Sequence, residues 1–430
     1  MLSPGLIFFG GAIALGVLAW PLRWPLPAAL VVVAIFAALL AGFGVPLRHL
    51  VEGGFGYINL VLALFTGAFF GQILQRSGIA DAFAIRVHGA TRGNAWLVLS
   101  VAAFLLFTVG MFVGIAGVSV LVAGVLVAPM LRQFGGLSNE RIAAFITVTA
   151  TCGMIAPPVN FPAMTIADGV NMPYAGFALP LLTLSIPPTL FAVATTAISL
   201  RRTRQPDHPH TASGRLAVFG LFCIGAILAF WTLLRLFPAS IPDPGVPIVL
   251  LVVGLFAVPA LGSRRLAETM RAVFSGTPLM LASVLIAVGV VVQIMTLTGV
   301  RGWLVINSMS FPPPWTFLEM IVMPVFGGVL TSIGAANILG VPFAFVLIHQ
   351  DMILNVSGLS AIAALSEFVP PTAIAAALST YVVGDVRLLS VLRASLGGAV
   401  VIAVLAFIIL IFAQDISGFL VPEAVTSQGH

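Results

Sequence analysis

The chain has 430 residues, 60% of them hydrophobic and 7% charged, with a mean hydropathy of +1.18. A soluble domain carries about 25% charged residues, so the composition predicts a polytopic α-helical membrane protein and leaves no room for a soluble ATPase, redox or extracellular binding module. The net charge of +5 rests on 18 basic residues that are all arginine, and their placement between apolar runs speaks for membrane orientation, not for nucleic acid.

A membrane-crossing helix needs about 20 apolar residues. In the first half, spans are predicted over residues 5–20, 26–44 and 57–77, followed by a short amphipathic arm over 79–92. The opening run, MLSPGLIFFGGAIALGVLAW, has no basic stretch before it and reads as a retained span, not a cleaved signal. Residues 94–131 are too interrupted by glycine for one clean crossing and read as a re-entrant hairpin. Two more spans follow, 138–170 and 175–200, the first broken by Pro157-Pro158. A polar linker, RRTRQPDHPHTASGR, occupies 201–215.

The second half repeats this order. Spans are predicted over 216–237, 245–262 and 278–298, an arm over 300–310 and a hairpin over 313–349. A span over 357–383 is broken by Pro370-Pro371, and a last crossing covers 388–413, before a tail over 416–430. The repeat is visible in residues too. Gln72-Ile73 and Ser77-Gly78-Ile79 match Gln293-Ile294 and Thr298-Gly299-Val300 at an offset of 221. Further on, Gly114, Ser119, Pro129 and Pro157-Pro158 match Gly327, Ser332, Pro342 and Pro370-Pro371 at an offset of 213. The expected fold is all-α, with two repeats over 1–200 and 216–415, each containing a hairpin and a proline-broken helix.

With the hairpins entering and leaving on one side, each half crosses five times, so the repeats are expected to be inverted. Placing the N-terminus outside puts 15 arginines inside and three, Arg48, Arg235 and Arg301, outside. That is the bias expected of cytoplasmic loops. The expected location is a bacterial inner membrane, with both termini periplasmic and the 201–215 linker cytoplasmic.

Proline removes a backbone donor and clashes with the preceding turn. Non-helical backbone at membrane depth is tolerated only where it is buried in protein or lines a cavity, and paired interruptions in two halves point to a binding site. Four such places are predicted: tips near Gly110–Ser119 and Gly327–Asn337, and loops at Cys152–Asn160 and Ser366–Thr372. Each break makes new helix ends. N-terminal ends, with free N–H groups, suit an anion; C-terminal carbonyls suit a small cation.

Side chains within reach are Ser119, Thr149, Thr151 and Asn160 in the first half, and Thr331, Ser332, Asn337, Ser366, Glu367 and Thr372 in the second. A hydroxyl in a membrane helix commonly bonds the preceding turn or a neighbouring helix, so each has a structural reading beside the functional one. Ser119, Asn160, Thr331, Ser332, Asn337 and Thr372 are the candidate substrate contacts. Glu367 is the one acidic residue placed deep in the membrane, where a carboxylate is expensive and function is the default reading: it either ligates a cation or carries a proton. Asp168, Asn171, His349 and Asp351 are read as capping or solvated groups, and Cys152 as a packed residue. No nucleotide-binding loop, zinc-protease motif or serine-hydrolase elbow is present, so no enzyme is expected. The cysteines, Cys152 and Cys223, suggest no disulfide scaffold, and His208 and His210 in the linker are a weak metal signal.

These segments resemble the ion-transporter superfamily of elevator carriers, and within it the large membrane subunit of tripartite ATP-independent periplasmic (TRAP) transporters. The resemblance covers nearly the whole chain. It is carried by GVSVLVAGVLVAPMLRQFG followed by AAFITVTATCGMIAPPVNFPAM, and by GGVLTSIGAANILGVPFAFVLI followed by ALSEFVPPTAIAAALS. It implies sodium-driven uptake of small organic acids, often C4-dicarboxylates, with a small four-helix membrane subunit and a periplasmic binding protein as partners, surrounding lipid and no cofactor. It also implies two cation sites: one from Gly114, Gly117, Thr151, Gly153 and Pro157, the other from Gly327, Ser366, Glu367 and Pro370. The first tip lacks the usual Gly-Ser-Gly-Pro run, and Glu367 stands where the family holds a small or uncharged residue. The alternatives are a stand-alone divalent-anion/sodium symporter of the same superfamily and a proton-coupled carrier using Glu367.

Overall fold

The computed structural model describes residues 3–19, 21–200, 214–236, 244–261, 263–310 and 315–421. Most of the linker, with His208 and His210, and the end of the tail lie outside the described residues. Among those described, every regular element is a helix. The first half runs α1 (Pro4–Ala19), α2 (Leu26–Leu40), α3 (Leu47–Phe55), α4 (Ile58–Arg76), α5 (Ile79–Ala90), α6 (Ala95–Val113), α7 (Ala116–Ser119), α8 (Val125–Arg132), α9 (Asn139–Ile155), α10 (Phe161–Gly169) and α11 (Ala178–Leu200). The second runs α12 (Gly214–Leu236), α13 (Gly245–Ala257), α14 (Ser263–Val273), α15 (Gly276–Leu297), α16 (Val300–Ser308), α17 (Trp315–Ala335), α18 (Val341–Val346), α19 (Met352–Ala364), α20 (Ile374–Val383), α21 (Leu388–Ile411) and α22 (Ala413–Leu420).

Among the described residues, six helical stretches are long and apolar enough to cross a membrane. The protein is membrane-embedded by that measure, and its surface agrees. Leu389, Leu396, Val400, Val404, Ile408 and Ile411 all lie exposed along α21, at the three- and four-residue spacing of one helix face. An exposed apolar stripe of that length suits hydrocarbon, not water.

Three helices go beyond the sequence expectation. α3 and α14 precede the third long helix of each half, and α22 follows the last. They are 9, 11 and 8 residues long, too short to span, and their charged residues hide them from a hydropathy window. On α3, Arg48 pairs with Glu52 at 2.7 Å, and this contact holds the Glu52 carboxyl below its ordinary pKa. α2 stops at Leu40, short of the expected residue 44, because Gly42 and Gly44 turn the chain at positive φ. α1 has 16 residues, about 24 Å at 1.5 Å per residue.

The two halves pack reciprocally. α2 lies against α15 and α13 against α4; α3 meets α15 and α14 meets α4; α5 meets α12 and α16 meets α1. Deeper in, α20 packs on α9 and α10 on α19. Each broken helix thus leans on its counterpart, and the core sits where the hairpins and the broken helices meet.

Candidate functional site

In the first half, α6 ends at Gly114, with φ +70° and its N–H bonded to Gly110 O at 2.7 Å. A Cβ on Gly114 would stand 2.6 Å from Val159 Cγ1, so only glycine fits both the turn and the approach of the proline loop. The loop is clamped to the tip by the Val159 N–H, which donates to Met111 O at 3.1 Å. Asn160 then caps α10. Its Oδ1 accepts from Ala163 N–H at 2.9 Å, and its amide donates to Ile155 O at 2.9 Å and to Ser360 Oγ at 3.2 Å.

The second half repeats the clamp. The Thr372 N–H and hydroxyl both donate to Gly328 O at 2.9 Å. The tip is made differently. Thr331 carries φ 68° and ψ 163°, a region natural to glycine and strained for a β-branched residue. Ala373, just before α20, also has positive φ, 34°. Ser366 Oγ is buried without a hydrogen-bond partner and occupies the space that a Cβ on Gly327 would need. Each outgoing hairpin arm also contains a π-helical turn, Val120–Gly124 and Ala336–Gly340; such turns are frequent at functional sites. Both Pro-Pro bonds are cis.

Glu367 is 4% exposed. Its Oε1 accepts from the Ser332 hydroxyl at 2.9 Å and its Oε2 from the Ala375 N–H at 2.7 Å. A carboxyl therefore caps α20 where an amide caps α10. Among the described residues the ion pairs are Arg48–Glu52 and Arg76–Glu268, so no basic side chain pairs with this carboxylate.

The tips converge on an enclosed cavity of about 20 Å³, enough for one water-sized occupant. It brings together Gly117, Thr331, Ser332 and Glu367, with Met154 at the position matching Glu367 in the first half, and is closed by Leu60 and Leu64 of α4 and Leu285 of α15. Pro370 and Pro371 line a separate apolar crevice of about 720 Å³ beside α1, α2 and α15.

The remaining candidates lie elsewhere. Ser119 donates to Leu106 O at 2.6 Å, and Thr151 donates to Thr147 O of its own helix at 2.8 Å. Gly153 packs backbone to backbone against Gly110, and Pro157 is half-buried in its loop. Asn337 sits in the π turn, its carbonyl accepting from Arg301 at 3.1 Å and its side chain beside the Tyr57 hydroxyl. Asp351 caps α19 through the Leu354 N–H at 3.0 Å. Thr149 Oγ1 is buried without a partner.

Sequence reasoning missed Ser360, which holds Asn160, and the link from Thr147 to Ser379 at 2.9 Å. Both are hydroxyls in apolar helices, with no local signal. Met154 was available from the 213-residue offset alone. No cluster of metal-ligating side chains occurs among the described residues. No known protein family matches the chain, and no curated protein is significantly similar to it.

Proposed function

We propose that the chain is the large membrane subunit of a TRAP-type secondary transporter, taking up a small organic acid such as a C4-dicarboxylate together with a coupling cation, sodium being the expected ion. The observation that carries the reading is the convergence of two hairpin tips, each clamped to its own proline loop, on one enclosed cavity inside an apolar helical protein. Irregular backbone at that depth belongs to a cavity-lining role. The reciprocal packing of the halves supports an inverted-repeat carrier. The hairpins and broken helices would form the moving unit, and α1–α5 with α12–α16 the scaffold.

The coupling follows from charge. A unit bearing an anionic substrate cannot pass hydrocarbon with that charge uncompensated. A bound cation lowers that cost, so the loaded and empty units move while the half-loaded one does not. The arginine bias supports an inner-membrane protein with periplasmic termini. The small four-helix subunit and the periplasmic binding protein are the partners this reading calls for.

The test is uptake of radiolabelled succinate and related organic acids into proteoliposomes under an inward sodium gradient, with and without the two partners. Accumulation that needs both the gradient and the partners is expected. Accumulation without partners favours the stand-alone symporter, and equilibration without any gradient would point to a channel.

A further inference from the structure

Glu367 is buried, unpaired with any basic group, and set where the two hairpin tips meet. We infer that Glu367 binds a proton and serves as a proton-coupling site, an inference that rests on the carrier reading above.

The hydrogen bonds favour a proton over a metal ion. A hard cation needs several converging oxygen ligands. Here both carboxylate oxygens already accept, one from Ser332 and one from the Ala375 N–H. The Thr331 hydroxyl accepts from the Gly334 N–H, and the buried Ser366 hydroxyl points at Gly327, away from the cavity. The other lining side chains are apolar. A proton needs only one acceptor. The Ser332 hydroxyl can donate or accept, so the 2.9 Å contact serves the ionised carboxylate as acceptor and the protonated one as donor. The Ala375 N–H keeps its bond to the other oxygen in both states.

Among the described residues Glu367 enters no ion pair. The turn holding Glu367 packs on α17, α19, α20 and α21. Their titratable or charged groups are Glu319 near the start of α17, Asp351 at the start of α19, Tyr381 on α20, and Arg387 and Arg393 at the start of α21. The other elements that line the cavity add Tyr57 and Arg76 at the ends of α4, and Glu140, Arg141 and Cys152 on α9, none of which lines the cavity itself. Glu367 makes its described bonds to Ser332 and Ala375, not to any of these. Release follows from the tip. The strained Thr331 adjoins Ser332, so lifting the tip removes Ser332 and admits water. The O–H bond of the carboxyl then breaks, with the proton passing to water on the open side. Reloading forms the same bond from water on the other side.

The first experiment is infrared spectroscopy of the purified chain at neutral pH. A carbonyl stretch of a protonated carboxyl is expected in the wild type and is lost in Glu367→Gln, which retains an oxygen for the Ala375 N–H. Ser332→Ala leaves the carboxyl in place and shifts the band to higher frequency as its hydrogen bond is removed; this keeps the test open if the Gln variant misfolds. The second is proton entry, read by a trapped pH dye, during uptake by the full complex: present in the wild type, lost in Glu367→Gln. Absence of the band, a band retained in Glu367→Gln, or loss of sodium-specific thermal stabilisation in that variant overturns the proposal. A Glu367 band without any organic-acid uptake instead overturns the carrier reading, and with it the coupling role, leaving a protonated structural carboxyl.

Discussion

In the first half the outgoing half-helix α10 is capped by Asn160, a neutral amide whose three hydrogen bonds tie the loop to α9, α10 and α19. In the second, α20 is capped by Glu367, a buried carboxyl with two hydrogen-bond partners and no ion pair among the described residues. Both loops dock on their tips by the backbone N–H that follows the second proline. The shared part is architecture and the differing part is chemistry: the first loop is closed by an amide, the second by a titratable carboxyl.

The largest effect is expected at the tips. Gly327→Ala should drive a methyl into Ser366 Oγ and lower stability by about 3 kcal/mol, the upper end for overpacking. Pairing it with Ser366→Gly should recover part of the loss, measured as the melting temperature in detergent. Full stability of the single variant would mean that tip and loop do not pack as described. Next is Asn160→Ala, which removes a helix cap and leaves the Ile155 carbonyl and the Ser360 hydroxyl short of a partner. About 1–2 kcal/mol is expected, with no change in ion dependence, because Asn160 lies outside the cavity. An altered sodium response in that variant would erase the contrast between the loops. The smallest is Ser119→Ala, at about 0.6 kcal/mol for one interhelical hydrogen bond in a membrane. A loss several times larger, or one seen only in sodium, would make Ser119 a ligand and not a packing contact.

Much of the helix order was legible, because apolar runs of spanning length and a 213-residue offset do not depend on tertiary context. The amphipathic α3, α14 and α22 were not, being short and charged. Proline was an uneven guide. Pro187-Pro188 sits inside the continuous helix α11, which does not break there. A proline pair alone does not break a helix; at the two that do break, the backbone N–H after the pair finds a partner on the tip, Met111 O or Gly328 O. The site was legible as a neighbourhood but not as contacts. Glu367 stood out by its cost of burial, whereas the assignments of Thr151 and Ser119 to their own packing depended on rotamers and neighbours that spacing does not specify.

Cation coupling of the carrier is tested most directly by the melting temperature of the purified chain in sodium chloride against choline chloride at equal ionic strength. A ligand held only by the folded state at about 100 times its dissociation constant adds roughly 2.7 kcal/mol. A sodium-specific rise that survives Glu367→Gln is expected, the sodium being bound apart from the Glu367 cavity. A stable protein with no sodium effect would contradict sodium coupling.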